Sequence, residues 1–274
     1  MREASTSRHL QHAIDTSVPH PARRYNYWLG GKDNFAADRA SGDQIAAAWP
    51  SVRTAAIENR RFLKRVTAFL TGQAGIRQFL DIGTGLPTAD NTHEVAQAIA
   101  PDSRVVYVDN DPMVGVHARA LMTSTPEGAT AYLEADLREP EAILHHPDLR
   151  RVLDLDRPVA LMLIAVLHFI RDNDEVARIV RRLVSALPPG SYAAASNATK
   201  DFMRPEDAAT YDMLVASGRT DVFPRSRAEL AALFAGLDLI EPGVVPVSDW
   251  RPVAGADRPD PVDVSVLGVV ARLP

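Results

Sequence analysis

The sequence predicts an α/β domain wound around a mostly parallel sheet, and three observations predict it. From about residue 76, short apolar runs alternate with amphipathic stretches at helical spacing, the pattern of repeated strand, helix, strand units. The 274 residues are 46% apolar, enough to fill one large core. Three successive strand candidates end in aspartate, at Asp81, Asp109 and Asp136, and an open parallel sheet collects its ligands at that edge.

In chain order, residues 1–24 are polar and are expected to form a flexible N-terminal tail. Residues 25–75 combine aromatics, the pair Gly30-Gly31 and an amphipathic stretch with Ile57, Phe62, Val66, Phe69 and Leu70. That block is expected to be a helical extension packed on the sheet, with its aromatic and glycine-rich part as a lid. The wound domain is expected over 76–274, with strands at Arg77–Ile82, Arg104–Val108, Thr130–Ala135, Val159–Ala165 and Ser191–Ser196. Two further strands are expected at Leu239–Val247 and Ser265–Leu273. The clearest helix runs from Asp172 to Leu187: Val176, Ile179, Val180, Leu183, Val184 and Leu187 share one face, Asp172 with Glu175 forms a capping signal, and Pro188-Pro189-Gly190 stops it. Ser226 with Glu229 opens another.

Composition narrows the chemistry. With no cysteine there are no disulfides, thiolate nucleophiles or Cys-ligated metals, and no metal site is expected from the histidines. His93 reads as structural, and His145 with His146 as a helix end. A net charge of -5 provides no strong footprint for phosphate backbones, so nucleic acid is disfavoured as a partner. No run approaches the roughly 18 apolar residues of a membrane span and the polar start lacks a secretory core, so a cytoplasmic protein without membrane association is expected.

In FLDIGTGLPT the first strand ends at Asp81, and Gly83 and Gly85 permit a tight turn whose backbone can approach a ligand. Pro87 suits the first turn of a following helix, whose free amides would then meet an anionic group. An isolated D-x-G-x-G fits a purely steric turn equally well, and its position ahead of Asp109 and Asp136 carries the nucleoside reading. At the second strand tip, Asp109 can accept hydrogen bonds from two ribose hydroxyls. A dinucleotide fingerprint would need glycine at position 88, where Thr88 stands. A Walker loop fails at Gly30-Gly31-Lys32, which Asp33 follows instead of Ser or Thr.

The Asp81–Gly85 loop, Asp109, Asp136 and AVLHFI after the fourth strand resemble the class I S-adenosylmethionine-dependent methyltransferases over residues 60–274. ARRYNYWLGGKDNFAADRA, ENRRFLKR, FLDIGTGLPT and VVYVDNDP resemble, over nearly the whole chain, an actinobacterial family known as S-adenosyl methyltransferase, formerly a family of unknown function. The resemblance implies a Rossmann-like sheet of seven mostly parallel strands, the last antiparallel, with helices on both faces. It implies S-adenosylmethionine as cofactor and S-adenosylhomocysteine as product. It places Gly83, Thr84 and Gly85 against the methionine portion and Asp81 toward its ammonium. Asp109 with Asn110 falls at the ribose, Asp136 at the adenine amino group with Leu137 beside the ring, and Ala165 at the fourth strand tip. Pro87 departs from the third glycine of the commoner loop.

Methyl transfer needs alignment more than a particular catalytic group. His168, just past the fourth strand, is the candidate base for a hydroxyl acceptor, or a turn residue that closes the pocket. Gly31, Lys32 and Arg60 complete the candidate cofactor residues, either cation being able to pair with the methionine carboxylate. The Pro-rich stretch 248–262 could border the acceptor site or a homo-oligomer contact. The leading expectation is methyl transfer to an O or N acceptor on a small molecule. The alternative is a cofactor-binding regulatory or interaction protein without turnover. A nucleic-acid methyltransferase ranks below both, since Ala165-Val166-Leu167-His168 replaces the Asn-Pro-Pro-Tyr type of motif, and a dehydrogenase ranks below that.

Overall fold

The computed structural model describes residues 14–121, 123–255 and 257–274. Three helices come first: α1 (Pro21–Trp28), α2 (Ala36–Ala48) and α3 (Val52–Gly72). The alternating part follows as β1 (Gln78–Ile82), α4 (Thr92–Ile99), β2 (Arg104–Asp109), α5 (Pro112–Leu121), β3 (Ala129–Glu134), α6 (Pro140–Leu144), α7 (Pro147–Val152) and β4 (Ala160–Ile164). It ends with α8 (Asn173–Val184), β5 (Tyr192–Ala198), α9 (Pro205–Ala216), α10 (Arg227–Ala232), β6 (Asp238–Leu239), β7 (Val245–Pro246), α11 (Pro261–Val264) and β8 (Val266–Arg272). Of the expected tail over 1–24, residues 1–13 lie outside the described residues, and residues 21–24 already belong to α1.

The strand order is β3-β2-β1-β4-β5-β8-β6, with β7 also on β8. Strands β1 to β5 pair in parallel, and β8 runs antiparallel to β5, β6 and β7. The strand expected over 239–247 is realised as two short ones, because Pro242 and Gly243 turn the chain between them. Alternation along β1 divides the interior: Leu80 and Ile82 join one apolar cluster with Ile179 and Leu183 of α8, while Phe79 joins another with Phe62, Val66 and Leu70 of α3. Both faces of the sheet are therefore covered, as parallel strands buried on two sides require.

The caps expected from sequence are present. Asp172 accepts from the amide of Glu175 at 2.8 Å at the start of α8, and Ser226 with Glu229 forms a reciprocal capping box on α10. The late connection packs against the N-terminal block: Trp250 is buried edge-on to Phe62 and Phe69, and Arg65 donates to the carbonyls of Val247 and Trp250. No helix among the described residues is long and apolar enough to cross a membrane.

Candidate active site

β1 and β4 are neighbours at the point where the strand order reverses, so the loops leaving them diverge and open a crevice at the carboxyl edge. A cavity of about 300 Å³ occupies that crevice, within the range of small-molecule sites. Its floor is Asp81–Leu86 at the end of β1 and beyond, Asp109 and Asn110 at the end of β2, Ala135–Arg138 after β3 and Ile164–Val166 at the end of β4. Its other wall comes from α1 and α3, through Tyr25, Asn26, Leu29, Asn59, Arg60 and Leu63.

The glycine loop is tied to its neighbours by backbone and carboxylate together. The amides of Gly83 and Thr84 donate to the carbonyl of Val108 at 2.8 and 3.2 Å, and the amide of Gly85 donates to Asp109 Oδ2 at 2.8 Å. Gly83 has φ +76°, and a Cβ there would lie 2.3 Å from Val166 Cγ2, so both its conformation and its contact require glycine. Gly85 also has positive φ, +67°, but a Cβ on it would meet open space. The expected helix start at Pro87 is corrected: α4 begins at Thr92, with Asn91 and Glu94 as its capping box, and Pro87 belongs to the preceding loop. The Asn91 side chain also accepts from the amide of Thr88, which helps to fix that longer loop.

Asp109 is buried, and its second oxygen accepts from the amide of Asp111 at 3.0 Å. Burial raises its pKa, while the two amides oppose that shift. Asp81 is buried too and accepts from Thr92 Oγ1 at 2.6 Å. Burial pushes its pKa up to about 6, against the opposing Thr92 hydrogen bond and the Arg60 charge. Asp136 accepts from Asn110 Nδ2 at 3.0 Å and from the amide of Arg138 at 2.8 Å. Arg138 also donates to the Phe169 carbonyl at 3.0 Å, fastening the β3 loop to the β4 loop.

On the facing wall, Arg23 grips Asp111 through two hydrogen bonds of 2.8 Å, both side chains buried. Asp111 accepts from the amide of Met113 at 3.0 Å as well, so it both caps the start of α5 and anchors α1. A second tie runs from Tyr25 through Asn59, which donates to the Tyr25 hydroxyl at 2.9 Å and accepts from Ser196 Oγ at 2.5 Å. Ser196 Oγ in turn accepts from the amide of Ala165 at 2.9 Å. Ala165 adopts φ +54°, a strained value for a residue with a Cβ, at the lip of the cavity.

Of the sequence candidates, Asp81, Gly83, Thr84, Gly85, Asp109, Asn110, Asp136, Leu137, Ala165 and Arg60 all line this cavity. Arg60 donates to the carbonyls of Ala89 and Asp90 at 3.1 and 3.3 Å, which braces the loop beyond the glycines. Gly31 and Lys32 lie off the lining, and Lys32 is exposed. Gly31 has a packing role instead: a Cβ there would lie 2.3 Å from Asn26 Nδ2, and Asn26 does face the cavity. His168 also lies off the lining. Its Nδ1 accepts from the amide of Ala198 at 3.3 Å, and burial lowers its pKa to about 3, with Arg225 and Arg24 adding to the effect against Asp221. That setting suits a fixed neutral acceptor, and it fits the turn-residue reading of this position better than the proton-taking base.

Sequence reasoning missed His20, Asn59, Arg138, Phe169 and Asp221 on the lining. Asn59 and Arg138 lay inside or beside the stretches ENRRFLKR and EADLRE, but nothing local told which polar residue would turn inward.

The sequence profile of the S-adenosyl methyltransferase family matches residues 7–274. The chain is 48% identical to a DUF574 family protein from Streptomyces avermitilis, covering 95% of this chain and 100% of that one with a TM-score of 0.89. It is 43% identical to a protein from Thermobifida fusca named as a candidate methyltransferase, covering 95% and 97% with a TM-score of 0.86. The mitomycin 7-O-methyltransferase MmcR shares the fold alone, at 21% identity and a TM-score of 0.50 over 81% of this chain and 56% of that one. No functionally curated protein matches the chain. With a class I sheet, a glycine loop at its switch point and a family match over almost its whole length, the chain belongs to the S-adenosyl methyltransferase family and is an S-adenosylmethionine-dependent methyltransferase.

Proposed function

We propose that the chain methylates an oxygen or nitrogen of a small molecule, with the cofactor held along the three strand tips. One observation carries this reading: Asp81, Asp109 and Asp136, from three successive strands, line a single cavity with the glycine loop between them. The residues fit the cofactor. Gly85 leaves open space beside the Asp109 carboxylate, Leu86, Leu137 and Ile170 offer apolar walls for a purine, and Asp136 stands beside them as an acceptor. Asp81 is the acid for the methionine ammonium, with Arg60 on the same cavity for its carboxylate.

Bound S-adenosylmethionine supplies a methyl carbon already activated by its sulfonium, which leaves alignment and exclusion of water to the protein. Tyr25 and Asn26 of α1 and Leu29 at its C-terminal end cover the cavity, and that cover favours a small acceptor over a folded chain or a duplex. Calorimetric titration with S-adenosylmethionine is expected to give saturable one-site binding, weakened about tenfold or more by Asp109→Ala, whose carboxylate is the ribose ligand. Phenols, carboxylic acids and amines offered as acceptors are then scored by formation of S-adenosylhomocysteine. Absent binding, or an Asp109→Ala protein that binds like wild type, would overturn the cofactor placement.

A further inference from the structure

Four aspartates line the cavity, and the cofactor reading uses three of them, Asp81, Asp109 and Asp136, at the ends of β1, β2 and β3. The fourth, Asp221, comes from the segment between α9 and α10, on the other side of the switch point. That segment is docked on the ends of β4 and β5. The amide of Phe223 donates to the His168 carbonyl at 2.7 Å, and the amide of Arg225 to the Ala198 carbonyl at 2.9 Å. The buried Arg225 guanidinium donates to the carbonyls of Leu167 and Ile170 at 2.9 and 2.7 Å. Arg24, itself buried, holds Asp221 Oδ1. Among the described residues Asp221 Oδ2 receives no hydrogen bond, and 42% of the side chain is accessible.

We propose that Asp221 binds the methyl acceptor and that the methylated group is an amine, with an N–H donating to the open carboxylate oxygen. The inference rests on the cofactor reading above, because only a methyl donor along the first three strands leaves Asp221 to the acceptor. A carboxylate oxygen takes hydrogen bonds and favours a donor that carries positive charge. An anion finds no matching cation here, since Arg24 is buried and spent on Asp221 and Arg225 is buried and spent on carbonyls. His168 is buried and off the lining, so it offers no base for a hydroxyl proton, which an amine does not require. Only the amino group has to enter at this end, and the accessible side of Asp221 lets the rest of the acceptor extend outward. The amine enters the step neutral, its ammonium proton left in water. Its lone pair forms the nitrogen–carbon bond as the carbon–sulfur pair returns to sulfur, and it departs as the methylated ammonium. Positive charge thus passes from sulfur to nitrogen, and a carboxylate beside that nitrogen stabilises the charge where it develops.

The test uses the intact protein saturated with S-adenosylhomocysteine and titrated calorimetrically with butylamine and benzylamine. Each is set beside its alcohol and its carboxylate: 1-butanol and butyrate, benzyl alcohol and benzoate. At least one amine is expected to bind saturably, about tenfold or more tighter than its two counterparts. Asp221→Asn keeps the shape and removes the charge, and should weaken that amine by about tenfold or more while affinity for S-adenosylmethionine stays within about twofold. Because this change leaves Arg24 buried without its partner, Asp221→Asn combined with Arg24→Met removes both charges and is expected to show the same loss. Cofactor binding without saturable amine binding overturns the assignment. So does an alcohol or carboxylate that binds as well as its amine, or amine binding indifferent to both variants. Failure of the cofactor to bind overturns the broader reading instead.

Discussion

On the strand-tip side of the cavity the ties are short in sequence: Asp81 to Thr92 spans 11 residues, Gly85 to Asp109 spans 24, and Asn110 to Asp136 spans 26. On the facing side they are long: Arg23 reaches Asp111 across 88 residues, and Ser196 reaches Asn59 across 137. The first wall is fixed within and between successive strand units, each strand-tip loop tied to its own helix or to the next strand along the sheet. The second exists only once α1 and α3 have docked, and it is held by buried polar bonds whose partners would be orphaned if either side let go. The division teaches that the strand-tip wall and the helical wall that covers it are held by different kinds of interaction, capture between neighbouring units in one case and long-range polar clasps in the other.

The largest test of that contrast is Asp111→Ala. It leaves Arg23 buried without its partner, and a broken buried pair costs about 3–5 kcal/mol, so urea unfolding should show a loss of that order. A loss below about 1 kcal/mol would mean that the clasp does not hold α1 to the sheet.

Next in size is Gly85→Val. Its side chain would enter open space in the cavity, so cofactor affinity should fall by about a hundredfold, whereas the stability cost is only that imposed by the positive φ, about 1–3 kcal/mol. A folded variant that binds the cofactor normally would show that the ligand does not pass over this loop.

A smaller effect is expected from the Asp81 titration. Its folded-state pKa of about 6 exceeds the ordinary 3.8, so the folded cofactor-free protein holds this proton more tightly than the unfolded chain. The resulting stability is complete below pH 3.8 and is lost as pH rises through about 6, a change of up to about 3 kcal/mol that Asp81→Asn should abolish. An ammonium ligand needs the ionised form, so wild-type affinity for S-adenosylmethionine should climb through the same window and Asp81→Asn should be flat. Calorimetry from pH 5 to 8 with an unchanged wild-type affinity would separate Asp81 from the ammonium.

The smallest effect is expected at Lys32, which is exposed and off the cavity. Lys32→Ala should leave stability within about 0.5 kcal/mol and cofactor affinity unchanged. A clear loss of affinity would bring the Gly30-Gly31-Lys32 turn back to the ligand.

What could be read from the chain follows the same division. The fold, the five central strands and the strand-tip acids were legible because strand, loop and helix signals act over neighbouring residues. Period-2 and period-3.6 patterns say which face is buried, and a parallel sheet puts every strand end at one edge. The helix start after the glycine loop was placed too early because Pro87 satisfies the local rule, while the real cap is Asn91 with Glu94. For His168 the sequence leaves base and turn residue both open, because a residue's solvation depends on what packs over it, and only docking of Ala198 and its neighbours makes this ring buried and neutral.

The sequence by itself therefore determined the wound α/β sheet, the glycine loop and the acids at its edge. These are local consequences of hydrophobic period, turn chemistry and strand direction. Tertiary structure alone decided which residues of the N-terminal block face the strand-tip cavity, that Gly31 makes room for Asn26, and that Arg24 is buried with one donor unpaired. Those outcomes depend on contacts between residues far apart in the chain, and the polar partner that satisfies a buried group is not encoded in the residues beside it.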